Sequence, residues 1–475
     1  MAVGQWGAQI VRFIISVVIA RILSPKDYGL MGMAFVFTYL VAIFGNIGLG
    51  QALIQRKQIT EEYISTAFWA TFIISIIFYA LVYPLTPLVS DFYDEPAISL
   101  IIRVSAIGFI FGSVSSIQES LLTRDMAFRH LAITIIVSSL IASFTTLICA
   151  IAGMGVWSLV AGTLVMNVVR IPLLYHYNKW IPNFYFSWHH FKDLFSFGRN
   201  ILGFGILSHI ARNLDNLLIG KFLGPVALGY YDLSYQIMLR PILQVSTVIA
   251  KPLFPALSSV QENKKLVATT YCKVITYISL ISFPMMFGLC VVAPEFIWGI
   301  LGSKWAPAIP LVQILSIVGA MQSIGVTVGP IYKSQNRTDI MLKWSLITTP
   351  LVALSFILGI HWGVLGVAIS YAVISFILWI VSHLIANGLI NLSFTEFGNS
   401  LLPAFKGTFL MMGTVVCVKY VLKYYIASNF FLLCASIVLG IIIYLFVIMI
   451  NKHEDILIIR KFIKKHILEY LPKFL

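Results

Sequence analysis

Charge is scarce in this chain. Only 18 of its 475 residues are Asp or Glu, and adding Lys and Arg brings the charged share to 11%. So little charge excludes a water-covered surface for a protein of this size. It also leaves few carboxylates to cluster around a metal or a sugar. Cysteine is rare too: Cys149, Cys272, Cys290, Cys417 and Cys434 are scattered through apolar segments without ligand spacing, which reads as isolated buried thiols. No phosphate-cradling glycine loop followed by Lys-Ser or Lys-Thr occurs, so the chain carries no ATP motor of that type. His189-His190 has no Cys or paired carboxylate beside it and reads as an interfacial pair rather than a metal site.

What the chain has in abundance is apolar length. Hydrophobic residues make up 59% and the mean hydropathy is +0.94. About fourteen runs, from 3–22 to 430–450, reach the roughly 20 residues that a helix needs to cross a hydrocarbon core of about 30 Å. A helix is the fold expected of each, because a single segment in lipid must satisfy its own backbone hydrogen bonds. The expected fold is therefore an all-α polytopic membrane protein. No cleavable signal peptide is expected, since Arg12 interrupts the first apolar run and no processing site precedes Arg21.

The loops between the runs alternate in charge. Arg56-Lys57, Arg124 with Arg129, Lys179 and Lys192, Lys264-Lys265 with Lys273, Lys333 with Arg337 and Lys343, and the tail from Lys452 fall on one side. The other side holds Asp91 to Glu95, Gly153 to Gly155, Pro294-Glu295 and Gly359 to Gly363. Cationic loops face the cytoplasm, so both termini are predicted cytoplasmic. The net charge of +14 follows largely from this bias; it suits an anionic inner leaflet and argues against nucleic acid.

Two stretches repeat. Ala20-Arg21-Ile22-Leu23-Ser24-Pro25-Lys26-Asp27-Tyr28-Gly29-Leu30 aligns with Gly220-Lys221-Phe222-Leu223-Gly224-Pro225-Val226-Ala227-Leu228-Gly229-Tyr230. Further on, Leu100 to Gly108 aligns with Leu311 to Gly319, and Gly155-Val156 with Gly363-Val364. The pattern predicts two six-helix lobes, 1–178 and 199–386, joined by an interfacial linker at 179–198. Helices 13 and 14 (387–451) are extra to the repeat, and a basic amphipathic tail (452–475) lies on the inner leaflet. An even number of helices per lobe makes them parallel repeats about an axis along the membrane normal.

In the repeat's register Arg12 lies opposite Arg212, each nine residues before the signature cation, or ~13 Å down a helix. A charge at that depth costs at least ~2.5–3.5 kcal/mol on insertion scales and normally faces a partner or a wet cavity. Six cations fall in or near helices: Arg12, Arg103, Arg170, Arg212, Arg240 and Lys251. Their acidic companions are Glu119, Asp215 and Asp232. Arg103, Arg170 and Lys251 lie near helix ends, where snorkelling is the ordinary explanation. Arg12, Arg212 and Arg240 are the candidate cavity cations, since the fixed fork of arginine grips phosphate oxygens in pairs. Asp215 is open to two readings: an ion pair with Arg212, three residues away on the same helix, or a Na⁺ or proton site shared with Asn216 and Asp232. Pro241, beside Arg240, marks a hinge candidate. No catalytic residue and no metal site is expected.

Residues 21–29, Gly48-Leu49-Gly50-Gln51-Ala52-Leu53-Ile54-Gln55, Asn213-Leu214-Asp215-Asn216-Leu217-Leu218-Ile219-Gly220 and Leu228-Gly229-Tyr230-Tyr231 resemble the polysaccharide-transporter (Wzx-like) flippases of the multidrug/oligosaccharidyl-lipid/polysaccharide (MOP) superfamily. The resemblance spans nearly the whole chain. It implies translocation, without catalysis or cofactor, of a lipid-linked oligosaccharide, usually undecaprenyl-diphosphate-linked, across a bacterial inner membrane for capsule, exopolysaccharide or O-antigen assembly. Polysaccharide polymerase or ligase machinery is the implied partner besides membrane lipids. Family members usually carry a short basic leader, whereas the first apolar run here begins almost at Met1. Two rival readings are a drug exporter of the same superfamily, which calls for an acidic or aromatic cavity, and a membrane glycosyltransferase or polymerase, which calls for a long outer loop or clustered carboxylates.

Overall fold

The computed structural model describes residues 2–45 and 48–450. The basic tail expected from Lys452 onward lies outside the described residues. Among the described residues the regular structure is helical throughout. Eleven helices are long and apolar enough to cross a membrane, or twelve if one bent pair is counted as a single span. That pair is Gly7–Ile22 with Pro25–Leu40, bent by 114°.

The chain forms two compact units, Met1–Asp232 and Leu233–Leu475. The first holds α1 (Ala2–Ile22), α2 (Pro25–Gly45), α3 (Leu49–Gln55), α4 (Glu61–Tyr93), α5 (Ala97–Arg124), α6 (Phe128–Ile151), α7 (Val156–Tyr177) and most of α8 (Trp188–Pro241). The seventh apolar run falls within this first unit. The expected interfacial helix at 179–198 is only partly helical. Residues 179–187 carry no helix, and α8 starts at Trp188 and continues into the seventh run. Long-range hydrogen bonds hold that extended piece: Gln118 Nε2 donates to the Trp180 carbonyl at 2.8 Å, and Trp69 Nε1 to that of Asn183 at 2.8 Å. Just beyond it, Asp193 on the first turns of α8 is ion-paired with Arg56.

Local chemistry explains the key breaks in the first unit. Ser24 and Asp27 cap α2 reciprocally: the Asp27 carboxylate accepts from Ser24 N at 2.8 Å and Asp27 N donates to Ser24 Oγ at 3.3 Å. Pro25 then takes the first helical position, where its missing N–H costs nothing. Within α8, Gly224 adopts φ 79°, ψ 178°, a conformation that only glycine enters freely, and the helix kinks there. Arg124 closes the end of α3 by donating to the carbonyls of Leu53, Arg56 and Lys57 at 2.6, 2.6 and 3.0 Å.

The second unit contains a π-helical turn (Ile242–Ser246) that follows Pro241, then α9 (Thr247–Ala250), α10 (Leu253–Ser258), α11 (Lys264–Phe296), α12 (Ala308–Gly325), α13 (Val328–Ser334), α14 (Thr338–Ile360), α15 (Gly363–Leu389), α16 (Phe394–Tyr425) and α17 (Asn429–Ile450). The distorted turn sits where Pro241 removes a backbone donor. The two last helices pack within this unit. Lys419 on α16 reaches Glu295 on α11 at 3.0 Å and the Val291 carbonyl at 2.9 Å, and Tyr444 on α17 donates to the Leu280 carbonyl at 2.7 Å. Pro294-Glu295 is thus helical, with Glu295 buried, and not the loop its sequence position suggests.

Candidate functional site

Arg12 falls on the buried stripe of α1. Ala8, Ile15, Ile19 and Leu23 recur at helical spacing and are buried, the last three in one apolar cluster with Ala150 of α6. Arg12 occupies the same face one turn from Ala8 and Ile15, so its guanidinium points into the helix packing. There Nη1 donates to Ser139 Oγ of α6 at 3.1 Å. Its Nε is buried and makes no hydrogen bond. No carboxylate pairs with Arg12 among the described residues. A guanidinium has five donors, and among the described residues a single hydroxyl accepts from this one.

Arg212 on α8 is exposed. It makes no ion pair among the described residues, and Asp215 is satisfied elsewhere. Asp215 is buried and accepts from Tyr231 Oη at 3.1 Å and from Asn216 N at 2.8 Å. The ion pair between Arg212 and Asp215 is therefore not formed. Nearby, His209 is buried, donates from Nε2 to the Val36 carbonyl of α2 at 2.8 Å, and lies tilted against Tyr39 with ring centroids 4.7 Å apart. Asn213 Nδ2 donates to His209 Nδ1 at 3.0 Å.

The remaining cations sort by their partners. Arg170 on α7 is ion-paired with Glu119 on α5. Arg103 donates from Nε to Thr86 Oγ1 at 2.8 Å and lies 4.4 Å from the centroid of the Tyr83 ring. Both are tied within the first unit rather than reaching for headgroups. Arg240 in the second unit is exposed and immediately precedes the Pro241 distortion. Lys251 is exposed. Among the described residues, no group of three His, Cys, Asp or Glu side chains is placed to hold a metal ion.

The two copies of the repeated signature meet. A methyl group on Gly29 would overlap the carbonyl of Pro225, and one on Gly229 would overlap the carbonyl of Pro25. Each copy's glycine thus seats on the other copy's proline. Flanking ion pairs join Lys221 to Asp94 at 2.8 Å and Lys26 to Glu95 at 3.2 Å. The repeat was legible in the sequence, but that its two halves touch was not.

The described residues thus form a multi-pass helical protein with eleven or twelve candidate membrane spans. Its fold is that of MOP transporters: it superposes on the lipid II flippase MurJ, in an inward closed conformation, with a TM-score of 0.74 and 16% identity, over 94% of this chain and 97% of that one. Residues 18–310 match the family described as polysaccharide biosynthesis protein, and the chain belongs to that family. It is 27% identical to the teichuronic acid biosynthesis protein TuaB of Bacillus subtilis (strain 168), over 86% of both chains. It is 26% identical to the lipopolysaccharide biosynthesis protein WzxC of Escherichia coli (strain K12), over 78% of this chain and 75% of that protein.

Proposed function

We propose that this protein is a flippase that carries an undecaprenyl-diphosphate-linked oligosaccharide from the cytoplasmic to the outer face of a bacterial inner membrane. The observation that carries the reading is that Arg12 and Arg212, which the sequence repeat aligns within apolar runs, have no carboxylate partner among the described residues. Arg170, by contrast, is neutralised by Glu119. An arginine held at membrane depth without a counter-ion is a site prepared for an anion that arrives. A diphosphate supplies that anion while its lipid tail stays in the bilayer. Arg240, beside a helix distortion, is a third candidate cation for the cargo.

The topology we assign has fourteen passes with both termini cytoplasmic. It follows if the bent pair α1 and α2 are two spans, and if the long apolar stretch Arg212–Ser258 is divided at the Gly224 kink. The reciprocal seating of Gly29 on Pro225 and Gly229 on Pro25 favours halves related by a two-fold rotation about the membrane normal. Translocation then proceeds by alternating access. The names of TuaB and WzxC, both polysaccharide biosynthesis proteins, agree with a glycan cargo. Asp215, buried and without a cation partner among the described residues, is the residue on which H⁺ or Na⁺ coupling would act, with Asn216 next to it and Asp232 further along the chain. Polysaccharide polymerase or ligase machinery is the partner that would use the product.

The test is transport of a labelled undecaprenyl-diphosphate oligosaccharide in proteoliposomes, read by a lectin added to one face, for the native chain, Arg12→Ala and Arg212→Ala. Loss of flipping in both variants at matched protein abundance is expected. Native rates in both would make the arginines structural. No flipping by the native chain would overturn the assignment.

A further inference from the structure

We propose that the two Pro-x-x-x-Gly signatures interlock to form the outer gate of the translocation path, with Gly29 and Gly229 as the positioning residues that set its closure. The inference rests on the orientation assigned above, in which both signatures lie at the outer end.

The contact is reciprocal and tight. Each glycine presents a bare Cα to the carbonyl of the partner copy's proline, and no side chain fits between them. Below it, one face of α2 continues along α8. A Cβ on Gly32 would lie 3.4 Å from Leu228 Cδ2, and one on Gly220 would lie 3.2 Å from Met33 Cγ. Deeper still, the Val36 carbonyl and the Tyr39 ring meet His209. From Gly29 to Tyr39 the seam covers ~15 Å of helix, about half the hydrocarbon core. A closure of that length seals the outer half of a path while leaving the inner half to open.

The seam is also built to part. Glycine against a backbone carbonyl gains close van der Waals and Cα–H···O contact and freezes no rotamer. The ion pairs beside it are exposed at one partner each, with Asp94 at 79% and Lys26 at 51% side-chain exposure, so water replaces them at little cost. Tyr93, buried at the foot of the acidic turn, packs over Gly220 and ties the α4–α5 connection to the same closure. The same signature thus stands on both sides of one contact, each copy forming half of the lock.

The experiment uses the full chain with its five native cysteines replaced by serine. A Gly32→Cys/Leu228→Cys pair is oxidised in proteoliposomes. Expected are disulfide formation, loss of flipping of the labelled lipid-linked oligosaccharide, and recovery on reduction, with each single variant insensitive to oxidant. Flipping at the native rate by the cross-linked pair would overturn the gate, as would failure of the pair to cross-link. A second readout needs no substrate: labelling of the single Gly32→Cys variant by a membrane-impermeant maleimide from the outer face. Gly29→Leu is expected to raise that rate roughly tenfold or more, and Gly29→Ala by less. Unchanged labelling in Gly29→Leu overturns the gate. A native chain that shows the labelling response but no flipping leaves the gate standing and removes the cargo assignment instead. Where Gly29→Leu does not accumulate, Gly229→Ala gives the same readout from the other half.

Discussion

Asp215 accepts a hydrogen bond from Tyr231 at 3.1 Å, while Arg212, one turn away on the same helix, stays exposed and apart from it. Spacing on a helix permits the Arg212–Asp215 pair, but burial of the carboxylate against Tyr231 takes it out of the arginine's reach. A double-mutant cycle separates the two relationships. Asp215→Ala with Tyr231→Phe should show coupling of about 1 kcal/mol, because either change alone orphans a buried polar group. Asp215→Ala with Arg212→Ala should be additive within about 0.5 kcal/mol. Thermal unfolding in detergent reads both, and strong coupling in the second pair would contradict the structure.

The Lys419–Glu295 pair fixes α16 to α11 with both side chains largely buried. Removing one partner strands the other charge, at a cost of about 3–5 kcal/mol. Lys419→Met should therefore lower the melting temperature markedly, and Glu295→Gln added to it should recover part of the loss. If the double variant melts below the single, the pair is not the source of the stability.

The linker tie responds to acid in one direction only. The Asp193 carboxyl is held below the usual carboxylate range, first by the hydrogen bond from Arg56 and less by that from Tyr63. A depressed folded value means that the stabilisation is complete above the unfolded pKa of about 4 and is lost as pH falls through the lower folded value. Proteolysis between residues 179 and 187 should be flat from about pH 5 to 8 and rise only below about pH 4. Asp193→Asn should be cleaved faster at neutral pH.

Much of this architecture was readable from the sequence, and the unread part has a common physical cause. Composition and apolar run lengths are properties of the whole chain, so the membrane class and the helical fold follow from them. Register aligns Arg12 with Arg212 in the sequence. What register cannot show is which side chain a residue meets from another helix. Arg170 near a helix end reads as a snorkelling cation, yet Glu119 on α5 neutralises it. Residues 179–187 have an amphipathic look, yet carbonyl bonds from Gln118 and Trp69 hold them extended. Gly224 resembles any loop glycine, and only its positive φ shows that α8 turns there without ending. In the site itself, Ser139 carried no signal, because nothing local marks the serine that faces an arginine.

Ser139 offers the sharpest separation of a substrate cation from a structural one. Its hydroxyl is the lone hydrogen-bond partner of Arg12 among the described residues. A hydroxyl leaves the charge of Arg12 intact and available, whereas a carboxylate at the same position would neutralise it in place. Ser139→Ala should therefore flip near the native rate at some cost in stability, since Arg12 keeps its charge and loses one hydrogen bond to a charged group, of about 1.5–3 kcal/mol. Ser139→Asp should accumulate at least as well as the native chain, because it supplies the missing counter-ion, and yet lose flipping. That opposition of abundance and transport is the signature to look for in membranes from matched cultures. A structural Arg12 predicts the reverse: Ser139→Asp would be stable and would flip at the native rate.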